Sequence, residues 1–126
     1  MDQLGTLEEL VLLSVCSLSE EAYGVSVHGL LEEHTGRSIT LGAVHTTLYR
    51  LQDKGFLESE MGGATSVRGG RRKRIFKATG TGLEALRNAQ AVRNRFWKAI
   101  PALDQMLGTA LQAASPRNPL LSQHIG

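Results

Sequence analysis

One cysteine, three prolines and 5% aromatic residues limit what this 126-residue chain can be before any pattern is read. A single thiol, Cys16, makes no disulfide within the chain. With four histidines it supplies too few ligands for a structural zinc centre: His28 and His34 are six apart, on different helix faces, and His45 and His124 are remote from them. Cys16 lies in an apolar run, where a buried structural thiol is expected rather than a reactive one. No apolar run approaches the ~20 residues that span a bilayer. The start, "MDQLGTLEEL", is acidic and lacks the basic-then-apolar layout of a signal peptide, so a cytoplasmic protein is expected. No serine or cysteine sits in a nucleophile motif, and "GGATSVRGG" lacks the Lys-Ser/Thr ending of a phosphate loop. The expectation is a protein that is not an enzyme and uses neither metal nor cofactor.

Charge of one sign is missing from two long stretches. Residues 1–36 contain seven acids and no lysine or arginine, and no acid falls between Glu60 and Glu84. From Lys54 to Lys98 there are eleven basic residues against three acids, although the net charge of the chain is only +2. Such asymmetry points to a polyanion-facing part and a separate acidic part.

Hydrophobic spacing supplies the elements. Leu4, Leu7, Val11, Val15 and Leu18 recur at helical intervals, and Leu10, Leu12 and Leu13 widen the stripe enough for one side to face a partner subunit. A second helix is expected from about Ala22 to His34, with Gly36 as its C-cap and His34 placed favourably at the negative end of its dipole. Thr40 is a good N-cap for a third, Leu41 to about Lys54, whose inward face is Leu41, Val44, Leu48 and Leu51. The period then changes to two. "FLESEM" and "RRKRIFKAT" alternate across a glycine-rich connection, which predicts a β-hairpin. From Thr81 a long helix resumes through Leu83, Leu86, Arg93, Trp97 and Ile100, with Pro101 placed to kink or end it, and Ala102 to Ala113 continues as another helical piece. Three short helices followed by a hairpin make a winged helix-turn-helix, so the fold expected is mainly α with a small β-hairpin, and the long C-terminal helix lies outside the minimum DNA-binding unit. The corresponding boundaries are 1–80 for the DNA-binding domain, 81–114 for the C-terminal helical region and 115–126 for a loose tail.

A third helix anchored on one face offers the other to a groove. Gly42, Thr46, Tyr49 and Arg50 point outwards, with His45 at the boundary, and Thr40 and Gly42 stand at the helix start, where backbone N–H groups can approach a phosphate. Taken alone, this is equally an ordinary amphipathic helix with a polar outer face. The hairpin shifts the balance. Arg68, Arg71, Arg72, Lys73, Arg74 and Lys77 crowd one ribbon, beside the paired Gly69 and Gly70 that let its tip approach a backbone. Each phosphate such cations neutralise releases counterions, and Arg68 and Arg71 suit a narrow minor groove. A basic wing binding double-stranded DNA is the expected reading. The alternative is a protein-interaction module whose ribbon holds an acidic protein surface.

These residues are similar to the PadR family of bacterial transcriptional regulators. The resemblance is carried by "LGTLEELVLLSV", by "EEAYGVSVHGLLEEHTGRSITLGAVHTTLYRLQDKGFL" and by "GGRRKRIFKATGTGLEAL". It implies a dimer, usually a repressor, in which the C-terminal helix packs against the first helix of a partner over a pseudo-palindromic promoter site. Tyr23 matches the tyrosine of the family's "YG" element, which often touches the DNA backbone; "LGAVHTTLYRL" matches the recognition helix, and Gly69 to Arg74 match the "GGRR" wing. His45 departs from the family's usual tyrosine, and Ile75 and Phe76 from its aromatic pair. The residues expected at the dimer interface, or around a small aromatic effector, are Leu7, Val11, Leu83, Leu86, Phe96, Trp97 and Ile100. Arg93, which interrupts that seam, would pair with an acid such as Glu8 or Glu9.

Overall fold

The computed structural model describes residues 3–62, 73–100 and 102–114. Its elements run in the order α1 (Thr6–Leu18), a 3-10 turn (Ser19–Glu21), α2 (Gly24–Thr35), α3 (Leu41–Asp53), β1 (Leu57–Met61), β2 (Arg74–Ala78), α4 (Gly80–Lys98) and α5 (Leu103–Ala114). The chain divides into two compact units, Met1–Ala89 and Gln90–Gly126.

The core of the first unit is built by Val11, Leu12 and Val15 of α1, Val27 and Leu31 of α2, Val44, Leu48 and Leu51 of α3, and Phe56, Leu57 and Phe76 of the ribbon. Local chemistry fixes where each helix begins and ends. The Thr40 hydroxyl accepts from the Ala43 N–H at 3.1 Å, the N-cap bond that its position promised. Gly36 takes the left-handed conformation (φ 67°) and donates to the Glu32 carbonyl, ending α2. The short turn into α3 is pinned from α2: His28 Nε2 lies 2.5 Å from the Ile39 carbonyl, and the Ile39 N–H donates to Glu32 Oε2 at 3.0 Å. The spacing of the second and third helices is therefore held by side chains as well as by packing.

Two expectations about burial are corrected. Cys16 is exposed, because α1 turns Val11, Leu12, Ser14 and Val15 inwards and leaves Cys16 and Leu13 on its open side. Leu41 is 38% exposed: as the first residue of α3, one turn before Val44, it lies past the edge of the core. Thr47 fills the inward position instead, its hydroxyl donating to the Ala43 carbonyl so that no polar group is left unsatisfied.

The ribbon is antiparallel, with Leu57 opposite Ala78, Ser59 opposite Phe76 and Met61 opposite Arg74. Burial falls off along it, from Leu57 in the core to Met61 at 43% exposed, as the strands leave the helices. Phe56 and Leu57 are both buried although alternation put them on opposite sides. Phe56 precedes the strand, in a bend where its N–H donates to Leu51 and its carbonyl accepts from Thr79. The root of the wing is tied to the helices a second time by the Phe76 N–H, which donates to the Ala22 carbonyl at 2.9 Å. The connection between the strands, residues 63–72, lies outside the described residues, as do Pro101 and the tail over 115–126.

Thr79 caps helix α4: its hydroxyl accepts from the Gly82 N–H and donates to the Gly55 carbonyl. Gly82 is buried against the backbone of Phe56, and a Cβ there would fall on the Phe56 carbonyl. Ala85 and Leu86 pack partly against the core. In the second unit, Val92, Phe96, Trp97 and Ile100 of the first segment and Met106, Leu107 and Leu111 of α5 are exposed. Among the described residues no helix is long and apolar enough to cross a membrane.

Candidate nucleic-acid interface

Helix α3 turns one face to solvent. Gly42, Thr46, Tyr49 and Arg50 are exposed along it, and nothing lies within 4 Å of where a Cβ on Gly42 would sit. Tyr49 is held rather than loose: its ring meets Phe76 edge-on, with centroids 5.8 Å apart at 76°. An edge-to-face pair of this kind fixes the ring plane while leaving the hydroxyl free to donate. Thr40 is exposed at the head of the helix with its hydroxyl already engaged as the cap.

The ring of His45 is half-buried over Gly24, the first residue of α2, and a Cβ at 24 would overlap its imidazole. Tyr23 caps that helix, its N–H donating to Ser26 Oγ at 2.9 Å. From the wing, Lys73 lays its ammonium over the Tyr23 ring, 4.9 Å from the centroid, a cation–π contact. Tyr23 at the head of α2, His45 and Tyr49 of α3 and Lys73 of the wing are thus brought together by these contacts at the junction of α2, α3 and the ribbon.

Arg74 is half-buried, and its guanidinium donates to Ser59 Oγ at 3.0 Å. Arg68, Gly69, Gly70, Arg71 and Arg72 lie outside the described residues.

One ion pair was not anticipated. Glu8 is buried on α1 and pairs with Lys54, at the end of α3, at 2.9 Å. Lys54 also donates to the Gln3 carbonyl, and Glu8 Oε1 accepts from the Gly5 N–H at 2.7 Å. Burial pushes the Glu8 carboxyl up, but the Gly5 hydrogen bond, the Lys54 ammonium and the field of Arg50 together hold it below the usual carboxylate range. The pair fastens the end of α3 to the first helix. The signal in the sequence was faint: a lysine in "DKG" at a helix end, with its partner 46 residues away.

Of the residues expected to make a dimer or ligand surface, Leu83, Phe96, Trp97 and Ile100 are exposed, while Leu7 and Leu86 are half-buried against the core. Val11 is corrected. It is fully buried in the chain's own core, on the inward stripe of α1, and presents no surface to a partner.

Comparison with known proteins agrees with this arrangement. The model of the PadR-like family of transcriptional regulators matches residues 12–88. A PadR-like transcription factor from Bacteroides fragilis superposes with a TM-score of 0.64 at 24% identity, over 79% of this chain and 90% of that one. A PadR-like regulator from Bacillus cereus gives 0.62 at 24% identity, over 80% and 93%. A PadR family regulator from Eggerthella lenta gives 0.58 at 27% identity, over 77% and 84%. No curated protein matches significantly. The family match covers more than half of the chain and spans α2, α3 and both strands, which carry the candidate interface, together with the start of α4. The chain belongs to the PadR-like family of transcriptional regulators, and is a DNA-binding regulator rather than an enzyme.

Proposed function

We propose that the chain is a homodimeric repressor acting in the cytoplasm on a pseudo-palindromic promoter site. In this reading residues 1–80 bind DNA and 81–114 dimerise. Helix α3 enters the major groove with Thr46, Tyr49, Arg50 and His45, while Tyr23 and the basic run from Arg68 to Lys73 hold the flanking backbone. The observation that carries it is the row of exposed donors on α3 beside Lys73, which closes a run of cations in a stretch free of acids. Such a surface gains affinity from every phosphate it neutralises. Two-fold symmetry would set the two recognition helices about 34 Å apart, one turn of B-DNA.

The exposed Val92, Phe96, Trp97 and Ile100 support the dimer, because side chains of this size clustered on one segment call for cover. A planar aromatic ligand stacked on Trp97 between two copies would release DNA by favouring one dimer state over the other. Titrating the purified chain against its own upstream promoter duplex and a scrambled duplex tests the repressor reading. Preference for the promoter supports it, and equal weak binding to both overturns it. The switching idea fails if ligands that quench Trp97 fluorescence leave DNA affinity unchanged.

A further inference from the structure

We infer that Arg74 is not a phosphate contact but a positioning residue: through Ser59 and Gln52 it locks the wing to the recognition helix, so that the two read DNA as one rigid head. The inference rests on the DNA-binding reading above and assigns a different role to a residue that charge alone would place on the DNA.

The chain of contacts is continuous. Arg74 Nη1 donates to Ser59 Oγ at 3.0 Å, and the same hydroxyl donates its proton to Gln52 Oε1. Gln52 lies in the last turn of α3, Ser59 at the centre of β1 and Arg74 at the start of β2, so three elements are joined by two bonds. All three side chains are half-buried, which strengthens the bonds and makes each costly to leave unmade. The register makes the geometry possible. Arg74 stands opposite Met61, and Ser59 is its diagonal neighbour on β1, within reach of a long side chain. Ser59 is the relay because a hydroxyl accepts from the guanidinium and donates its single proton onward, fixing the direction of both bonds.

The relay sits where the ribbon needs it. Burial decreases from Leu57 to Met61, so the outer half of the wing has little apolar packing to set its angle. The neighbouring Lys73 is in a different situation. It is exposed, over Tyr23, with an ammonium still open to a phosphate. Two cations adjacent in sequence therefore divide the work: Lys73, just before β2, faces outward and Arg74 braces the strand behind it. A lysine at 74 keeps the charge but lacks the rigid fork that fits the hydroxyl.

The test uses the full chain and the promoter and scrambled duplexes of the preceding titration, across a salt series, with Arg74→Lys, Arg74→Ala, Ser59→Ala, Gln52→Ala and the Ser59→Ala/Arg74→Lys double variant. Circular dichroism and thermal melts confirm that each is folded, and Gln52→Ala, at the relay's helical end, gives a second route should a ribbon variant misfold. Each single variant should lose about tenfold in promoter affinity, roughly one charge-assisted hydrogen bond. Scrambled-DNA affinity and the salt slope should stay at wild-type values, and the double variant should be no worse than either parent, since both break the same relay. A merely structural role would lower the melting temperature without changing the promoter-to-scrambled ratio, and that outcome overturns the inference. So does a salt slope about one unit shallower in Arg74→Ala with Ser59→Ala unaffected, the pattern of a direct phosphate contact. If the wild-type chain does not prefer the promoter, the regulatory reading itself fails and takes the relay's purpose with it. A wild type that discriminates beside variants that also discriminate rejects the relay alone.

Discussion

The imidazole of His45 lies against Gly24 so closely that a Cβ on residue 24 would overlap it, with Nε2 only 2.9 Å from that position. The glycine thus lets α3 and the start of α2 approach, and places the ring at the edge of the α3 face proposed to meet DNA. The obstacle to an alanine is the far end of a side chain, which can swing away. Gly24→Ala should therefore cost about 1 kcal/mol of stability or less, the scale of one displaced rotamer, while weakening promoter binding. His45→Ala in the same chain should restore the stability; a double variant as unstable as Gly24→Ala would place the conflict elsewhere.

Gly82 presents the opposite case. A Cβ there meets the backbone of Phe56, with the carbonyl carbon at 3.0 Å, and backbone cannot rotate out of the way. Gly82→Ala should cost about 2–3 kcal/mol, as overpacking of a tight site does. Urea unfolding should show a lower midpoint with an unchanged m-value.

The Glu8–Lys54 pair makes stability depend on acid in one direction. Because the Glu8 carboxyl is held below its ordinary range when folded, its contribution is fully present above the unfolded pKa, roughly 4.3. It is lost as the pH falls through the lower folded value. Glu8→Gln should flatten that part of the stability profile and leave the rest of the acid transition in place. Lys54→Met should cost about 2 kcal/mol at neutral pH, less than a fully buried pair, because the Lys54 side chain keeps 23% of its surface exposed. Thermal melts from pH 7 down to about pH 3 distinguish the two variants.

The basic tip of the wing should act on DNA and not on folding. Arg71→Ala with Arg72→Ala is expected to flatten the salt dependence of promoter binding by about two units. Cations crowded in a stretch without acids gain little from folding, so the melting temperature should move little. An unchanged slope would remove these arginines from the interface.

The sequence made the element order readable because each boundary rests on local chemistry: Thr40 caps α3, Gly36 ends α2, and the change of period after Gly55 marks the ribbon. The outward face of α3 was readable for the same reason, since a helix with Val44, Leu48 and Leu51 inside can place Thr46, Tyr49 and Arg50 only outside. Contacts distant in sequence were not. Nothing local to Glu8 names Lys54 as its partner, and nothing in "FLESEM" shows that Ser59 relays a hydrogen bond between Arg74 and Gln52. Periodicity also failed at element ends. Leu41 and Cys16 fall on apolar stripes, but the stripe of α1 is wider than the core it meets and Leu41 precedes the core altogether.

The most direct measurement is fluorescence anisotropy of the purified chain with its own upstream promoter duplex and a scrambled duplex, from low to high salt. Tight, strongly salt-dependent binding that favours the promoter is the expected result, with one dimer bound per site. Equal, weak binding to both duplexes across the series would contradict it, and would leave the α3 face and the basic ribbon without the promoter site assigned to them.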